Sequence, residues 1–219
     1  KKEILDTINI IIDKFELSRS DEKGYDYYNC NSNKGLGSYN KKRYIKLREA
    51  YNTREEESFY YNMMFYVLVV YGFNNQIRFN KDGKFNLPVG KRDFNKKMKE
   101  KLINFIDRIK KINCEFIVEN FINLNIEKIE KNTFIYADPP YLIANASYNE
   151  QDGWNEYYEK QLINFLDKVN NKKIKFALSN VIESKGKRNE ILINWILKNK
   201  DLYKVHYLKH DYSNSNYQT

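Results

Sequence analysis

The 219-residue sequence is poor in the residues that build disulfide frameworks, metal centres and histidine-based catalytic sites. Its two cysteines, Cys30 and Cys114, lie in unrelated contexts, which indicates neither a disulfide network nor a zinc site. The two histidines, His206 and His210, fall in a predicted strand and turn rather than on a helix. The sequence therefore predicts no bound metal, no histidine triad and a reducing, cytoplasmic environment.

Long apolar runs are also missing from the sequence. No segment approaches the roughly 20 apolar residues of a membrane-spanning helix, and no secretory signal is visible. We therefore expect no membrane partner. Hydrophobic residues make up 42% of the chain, which excludes a disordered protein. A chain of this length can bury one sizeable core or two small ones, and we expect two.

Positive charge is in excess, because 38 lysines and arginines face 29 aspartates and glutamates, for a formal net charge of +9. This excess suits a polyanionic partner, although a lysine-rich, AT-biased proteome produces the same excess. The placement of the charge is more informative than its sum, since basic residues crowd one stretch of the chain. They are Lys81, Lys84, Lys91, Arg92, Lys96, Lys97, Lys99 and Lys101.

The most informative stretch is a short apolar run at 133–137 that breaks into Asp138-Pro139-Pro140-Tyr141. The run favours a packed strand, whereas the prolines lack N–H donors and forbid further pairing. We therefore expect a buried strand that ends at Asp138. A carboxylate, unpaired carbonyl groups and an aromatic ring then meet at a C-terminal strand edge, where ligands bind in α/β folds.

These groups suit methyl transfer to a planar amino group, such as that of adenine. Asp138 and the carbonyl group of Pro139 each accept one amino hydrogen, which turns the nitrogen lone pair toward an electrophilic methyl group. Pro140 sets the turn, and the ring of Tyr141 stacks on the base. The alternative is an ordinary surface turn, but the preceding strand favours the catalytic interpretation.

Residues 76–88 predict a β-hairpin whose arms flank an Asp-Gly turn. Arginine can pair with a guanine edge or a phosphate, asparagine can bond bases, and phenylalanine can wedge between bases. The alternative is a basic surface hairpin without a function. The candidate DNA-binding residues are Arg78, Phe79, Asn80, Lys84, Asn86, Pro88, Lys91 and Arg92.

Three stretches in this order resemble Dam-type DNA adenine methyltransferases, which modify adenine within GATC. They are the Asp-Pro-Pro-Tyr turn, residues 77–91, which resemble that family's target-recognition hairpin, and residues 175–181, which resemble its Ser-Asn strand. The resemblance implies S-adenosylmethionine as methyl donor, no metal, and double-stranded DNA whose target adenine is flipped out. It also implies a cytoplasmic bacterial or phage-encoded enzyme of a restriction-modification system, with a cognate restriction endonuclease as a candidate partner.

The sequence departs from the family pattern in two places. A family strand ends in Asp-Phe beside the cofactor's adenine, whereas residues 114–121 predict a strand that ends in Asn120-Phe121. The resemblance thus implies that Asn120, Phe121 and Asp138 line the cofactor site. The family's glycine-rich Phe-x-Gly-x-Gly loop has no match, so the chain looks truncated. We expect these residues alone neither to bind S-adenosylmethionine tightly nor to methylate DNA.

Two other functions stay open at this point. One is a catalytically silent DNA-binding remnant, which the missing glycine-rich loop favours. The other is a methyltransferase that acts on RNA or on a protein glutamine, because Pro-Pro-Tyr turns serve several planar amino substrates. Cofactor binding separates the first alternative from an enzyme, and the predicted hairpin favours DNA over the second.

Alternating strands and helices after residue 120 predict an α/β fold. We expect an incomplete Rossmann-like, S-adenosylmethionine-dependent methyltransferase sheet with an inserted, mainly helical DNA-recognition domain that carries the hairpin. Residues 1–101 are assigned to recognition and 102–219 to catalysis. Apolar spacing predicts helices near residues 4–15, 44–51, 59–71, 98–112, 158–169 and 191–196, and strands at 174–178 and 203–207. Residues 18–40 predict an exposed loop, and 142–153 a flexible loop that closes over a bound base.

Overall fold

The computed structural model describes residues 1–31, 33–143 and 153–208. The chain divides into two compact units, Lys1–Phe116 and Ile117–Thr219. The division predicted from the sequence falls earlier, after residue 101, and the recognition and catalytic roles of the two parts stay predictions. Most of the predicted closing loop at 142–153 lies outside the described residues, as does His210.

The first unit is mainly helical. Its helices are α1 (Lys2–Lys14), α2 (Ser20–Lys23), α3 (Gly37–Asn52), α4 (Phe59–Tyr71) and α5 (Lys96–Lys111). The apolar stripes that predicted long helices correspond to α1, α3, α4 and α5. Ile8 and Ile11 of α1, Leu47 of α3 and Leu68 of α4 are fully buried in one shared core. The hydrophobic effect on this core is what holds the unit together.

The segment 18–40 is only in part the exposed loop that its polar composition predicts, because it also contains short helical turns and buried polar residues. Ser18 and Asn40 are fully buried, and the amide of Asn40 donates to Ser18 Oγ at 2.8 Å. The buried carboxylate of Asp93 accepts from the Ser20 backbone N–H at 2.6 Å and from its hydroxyl at 2.9 Å. Burial raises the pKa of Asp93, and these donors partly offset that effect. Paired polar groups therefore occupy the interior here, which composition alone does not reveal.

The stretch at 76–88 folds back on itself, but pairing between its arms is sparse. One antiparallel bridge joins Phe79 to Phe85, and Gly83 N–H donates to the Asn80 carbonyl at 3.0 Å to close the turn. Gly83 has a φ of +71°, a conformation that glycine adopts without strain. The side chain of Asn52 bonds both the N–H and the carbonyl of Phe85, at 2.8 and 2.9 Å. These two hydrogen bonds hold the second arm against the end of α3.

The second unit contains a β–α–β arrangement. It comprises β1 (Phe134–Ala137), α6 (Glu156–Asn171), β2 (Lys175–Leu178), a short antiparallel pair of β3 (Glu183–Ser184) and β4 (Lys187–Arg188), and α7 (Glu190–Lys198). β1 and β2 run parallel, with Phe134 opposite Lys175 and Ala137 opposite Leu178. Within the described residues this parallel sheet has two strands.

One face of the parallel sheet is packed and the other is open. Ala137, Phe176 and Leu178 pack against a core formed by α6 and α7. On the opposite face, Phe134 is 61% exposed and Tyr136 is 63% exposed. The prediction that β1 is a buried strand is therefore wrong for one of its faces in the described structure, although the strand does end immediately before Asp138.

Two further predicted strands are absent from the described structure. Residues 114–120 form no regular element, and Phe116, Ile117 and Val118 are exposed. Residues 203–207 also form no strand. Apolar and β-branched side chains favour strands only where a neighbouring strand accepts their backbone bonds, and the described residues supply no such neighbour to either segment.

Asparagine side chains cap the N-termini of several helices in both units. Asn95 caps α5, Asn155 caps α6 and Asn189 caps α7, each through its side-chain oxygen to a backbone N–H. Asn120 caps a 3₁₀ helix at Phe121–Asn123 in the same way. Asparagine is among the preferred N-cap residues, so its abundance here has a structural use. Among the described helices, none is long and apolar enough to cross a membrane.

Candidate active site

The Asp-Pro-Pro-Tyr turn lies where the parallel strands end. Asp138 follows β1 directly, and Ser179 follows β2 directly, so the strand register places both at the same sheet edge. Ser179 N–H donates to the Ala137 carbonyl at 2.9 Å and extends the pairing by one residue. The two prolines bring no N–H donors, so the turn offers acceptors beyond the last strand bond.

Tyr141 connects the two strand ends through its hydroxyl group. This hydroxyl donates to Asp138 Oδ1 at 3.2 Å and lies 3.2 Å from Ser179 Oγ. If the serine donates to the tyrosine, a chain of bonds runs from Ser179 through Tyr141 to Asp138. The Asp138 carboxylate is then held through Oδ1 by the Tyr141 hydroxyl. Because Asp138 is exposed, its carboxylate stays accessible to a donor on a ligand.

A pocket of about 550 Å³ opens beside this turn. It brings Asn120 and Phe121 together with Asp138, Pro139 and Pro140, residues separated in sequence that were predicted to act at one site. The remaining lining residues are Glu119, Ala137, Gly153, Trp154, Tyr158 and Leu162. The predicted catalytic and cofactor-binding residues of this unit therefore lie around one cavity, except Tyr141, which contacts Asp138 but does not line the cavity.

Asn120 has a local structural role as well as its place in the pocket. Its side-chain oxygen accepts from Ile122 N–H at 3.1 Å, which uses part of the acceptor capacity foreseen for an adenine amino group. The neighbouring Glu119 supplies a carboxylate instead. The Asn123 side-chain amide and the Asn120 N–H lower the pKa of Glu119, which keeps this exposed group ionised at neutral pH.

Sequence reasoning missed the aromatic wall of the pocket. The ring centroids of Trp154 and Phe121 lie 5.8 Å apart, and those of Trp154 and Tyr158 lie 5.9 Å apart in a stacked arrangement. Trp154 directly precedes Asn155, the N-cap of α6, so its position relative to the helix is fixed. The sequence signal for this wall was a tryptophan that lies after the Asp-Pro-Pro-Tyr turn and immediately before the N-cap of the next helix.

In the other unit, Arg78 and Asn86 contact each other. Arg78 Nε donates to Asn86 Oδ1 at 2.8 Å, and Nη2 donates to the Asn86 carbonyl at 2.7 Å. These bonds link the two arms and hold the exposed guanidinium at a defined place. Arg78 and Asn86, both predicted to bind DNA, therefore also stabilise the fold of the arms.

Asn80 and Phe79 are likewise engaged inside the unit. Asn80 Oδ1 accepts from the backbone N–H groups of Asp82 and Lys84 at 3.1 and 2.8 Å, which shapes the turn. Phe79 stacks on Phe65 at 6.0 Å between ring centroids, and remains 40% exposed. Both side chains therefore hold the turn or pack against the unit's aromatic residues.

The remaining predicted DNA-binding residues are exposed, as are the lysines of α5. Lys84, Pro88, Lys91 and Arg92 lie on the surface, and so do Lys81, Lys96, Lys97, Lys99 and Lys101. Within the described part of the chain, the ion pairs involve none of these basic side chains. Exposed cations without carboxylate partners suit phosphate groups.

Comparison with known proteins gives a consistent result. A family model described as "D12 class N6 adenine-specific DNA methyltransferase" matches residues 3–214. The chain is similar to the Type II methyltransferase M.FokI of Planomicrobium okeanokoites, with 36% identity over 191 residues, 84% of this chain and 28% of that protein. Identity to the modification methylase StsI of Streptococcus sanguinis is also 36%, again over 84% of this chain and 28% of that protein.

Similarity extends to DNA adenine methylases over a shorter region. The enzyme of Escherichia coli strain K12 is 27% identical over 106 residues, which cover 48% of this chain and 37% of that protein. The chain thus spans less than a third of the length of M.FokI and StsI.

Proposed function

This chain belongs to the D12 class of N6 adenine-specific DNA methyltransferases, and we propose that it transfers a methyl group from S-adenosylmethionine to the exocyclic amino group of adenine in DNA. One observation carries the proposal. The Asp138-Pro139 turn and the Asn120-Phe121 pair line the same pocket, so groups suited to an amino acceptor and groups suited to a cofactor lie side by side.

The chemistry of the pocket fits the proposed cofactor. Its volume of about 550 Å³ falls in the usual range for small-molecule sites, roughly 300–1,000 Å³. Phe121 and Trp154 offer apolar ring surface, while Glu119 and Asp138 offer carboxylates to hydroxyl and amino donors. When bound, S-adenosylmethionine supplies the electrophilic methyl group, and its sulfur keeps the electron pair of the broken S–C bond.

The turn orients the amino group of the target adenine. Asp138 accepts one amino hydrogen and the Pro139 carbonyl accepts the other, so the nitrogen lone pair is turned out of conjugation with the ring. The nitrogen forms the new N–C bond and then loses one proton, which Asp138 passes to solvent from its exposed position. Tyr141 keeps the Asp138 carboxylate in place and offers its ring to the base.

The DNA substrate is proposed to be double-stranded, with the adenine of GATC flipped out of the helix. Unstacking and unpairing a base costs a few kcal/mol, which stacking in the pocket and contacts from the first unit offset. Exposed Lys84, Lys91 and Arg92 suit the phosphate backbone, and Arg78 suits a base edge or a phosphate. Modification methylases among the relatives favour a role beside a cognate restriction endonuclease in the cytoplasm.

The product of the intact protein tests this proposal. Purified protein is incubated with S-adenosylmethionine and a duplex that contains one GATC site, and the nucleosides are then analysed by mass spectrometry. We expect N6-methyladenine from this duplex and none from a duplex with GTAC in place of GATC. Methylation of RNA or protein instead of DNA contradicts the proposal, and equal methylation of both duplexes overturns the GATC assignment alone.

A further inference from the structure

Glu159 is a carboxylate in the interior of the second unit that the proposed mechanism does not use. It lies on α6 and is only 1% exposed. Among the described residues no lysine or arginine pairs with it. A buried carboxylate without a cation is costly unless hydrogen bonds satisfy its oxygens, so the partners of Glu159 are informative.

Three side chains from three separate segments donate to this carboxylate. The indole N–H of Trp154 donates to Oε2. The amides of Asn180 and Asn189 donate to Oε1 at 3.1 and 2.7 Å. The carboxylate therefore joins the pocket wall, the loop that follows β2 and the beginning of α7.

The two asparagines cannot easily change their orientation. Asn189 Oδ1 caps α7 through Leu192 N–H at 3.1 Å, and Asn180 Oδ1 accepts from Val181 N–H at 2.7 Å. Turning either amide around would break one of these bonds. Oε1 is thereby committed to the asparagines, which leaves Oε2 for the indole.

The indole held in this way forms one side of the pocket. Trp154 and Phe121 are 5.8 Å apart, whereas a ring inserted between them would need about 7 Å, two contacts of roughly 3.5 Å each. A planar ligand therefore lies against the surface that these rings share, and the tilt of the indole decides whether it can stack.

We propose that Glu159 is a positioning residue, whose buried carboxylate holds the Trp154 indole as the stacking wall for an adenine ring in the pocket. The inference rests on the proposed function for the identity of the ring, because both the methyl donor and the target base carry adenine. The role of Glu159 in holding the indole rests on the hydrogen bonds alone.

A second carboxylate on the same helix provides a matched control. Asp167 accepts from the indole N–H of Trp195 at 2.9 Å and from the hydroxyl of Tyr203 at 3.2 Å. Burial and this carboxylate raise the pKa of Tyr203 to about 12, so the phenol stays protonated at neutral pH. Neither Asp167 nor Trp195 lines the pocket.

The experiment follows Trp154 fluorescence in the 219-residue chain, which has two tryptophans, after Trp195→Phe removes the other signal. Without ligand, Glu159→Gln should raise acrylamide quenching of Trp154 by about twofold, because its amide N–H₂ then faces the indole donor. Asp167→Asn, whose side chain in this background still faces the Tyr203 hydroxyl but no longer an indole, should leave quenching of Trp154 unchanged. Equal quenching in the parent and Glu159→Gln proteins, with both folded by circular dichroism, overturns the positioning role whatever the protein methylates.

Two ligand arms identify the source of the ring, each titrated until the fluorescence signal saturates, because the 219-residue chain is expected to bind the cofactor only weakly. S-Adenosylhomocysteine should quench Trp154 if the donor's adenine stacks there, and an adenine-containing duplex should quench more than an abasic duplex if the target base does. For the ligand that quenches Trp154, Glu159→Gln should raise the Kd about tenfold, and Asp167→Asn should leave the Kd unchanged. Absence of a Trp154 response to both ligands overturns the stacking role.

A second variant covers the case in which Glu159→Gln does not fold. Trp154→Phe keeps an aromatic ring in the wall but removes the N–H that binds Glu159. We expect this variant to keep the helical circular dichroism of the parent and to lose affinity for the ligand that quenches Trp154 in the parent, measured by calorimetry. Parent-like affinity of Trp154→Phe overturns the proposal.

Discussion

The pocket beside Asp138 and the folded-back arms around Arg78 use polar side chains in different ways. At the pocket, Asp138 binds one tyrosine hydroxyl and otherwise faces an accessible cavity. In the arms, Asn80 and Asn86 bind the chain itself, and Arg78 binds Asn86 through two donors. A side chain suited to recognising a base can therefore form its hydrogen bonds within its own fold. Experiments have to separate its role in stability from its role in DNA recognition.

The largest expected effect concerns how the arms are anchored. Phe85 is 1% exposed in the core of the first unit, so Phe85→Ala should lower the free energy of unfolding by about 3–5 kcal/mol. Phe79→Ala, at a neighbouring exposed ring, should cost only about 1 kcal/mol. Urea denaturation measures both, and an equal cost would contradict the distinction between anchor and contact residue.

Arg78 provides the sharpest test of recognition by the first unit. Arg78→Ala should weaken binding of the target duplex by about 1–3 kcal/mol if the guanidinium reads a base edge. Lys96→Ala removes an exposed cation of α5. It should weaken binding of all duplexes alike and reduce the slope of log K against log salt concentration by about one. Binding to labelled duplexes at several salt concentrations measures both variants. Unchanged binding of every duplex by Arg78→Ala would leave the arms as a basic surface without a role in recognition.

Asn80 tests whether the turn is held by its side chain. Asn80→Ala removes the oxygen that accepts from Asp82 and Lys84 N–H groups, and should destabilise the first unit by about 1–2 kcal/mol. Thermal unfolding followed by circular dichroism measures this effect. Unaltered stability combined with weaker DNA binding would assign Asn80 to recognition instead of to the turn.

The smallest expected effect is at Tyr141. Tyr141→Phe keeps the ring but removes the bond to Asp138 Oδ1, which should lower kcat by about 3–10-fold, as expected for one hydrogen bond. The KM for the duplex should stay close to the parent value, because the stacking ring remains. Steady-state kinetics separate the two parameters, and a raised KM with an unchanged kcat would assign the hydroxyl to substrate binding.

Local patterns predicted the helices and the end of β1 well. Helices follow from apolar residues at helical spacing within one segment, and two consecutive prolines end a strand whatever the rest of the fold. The Asp138 turn was predicted from a short motif and the Asn120-Phe121 pair from the family resemblance, and both lie at one pocket.

Features that depend on distant partners were not predictable in this way. Residues 114–120 carry strand-forming side chains, but the described residues provide no neighbouring strand for them. The buried polar network of Ser18, Ser20 and Asp93 joins segments far apart in sequence, so its residues looked like a loop. Glu159 looks like an ordinary surface residue of α6 until its three donors are brought together in space.

Asp138 is proposed to act in methyl transfer and not in holding DNA. Methyl transfer and duplex affinity should therefore be measured on the same preparation of Asp138→Ala, in the intact protein. We expect transfer to fall by about 100–1,000-fold, while the Kd for the duplex stays within about twofold of the parent value. Parent-like transfer by a correctly folded Asp138→Ala protein would contradict the account.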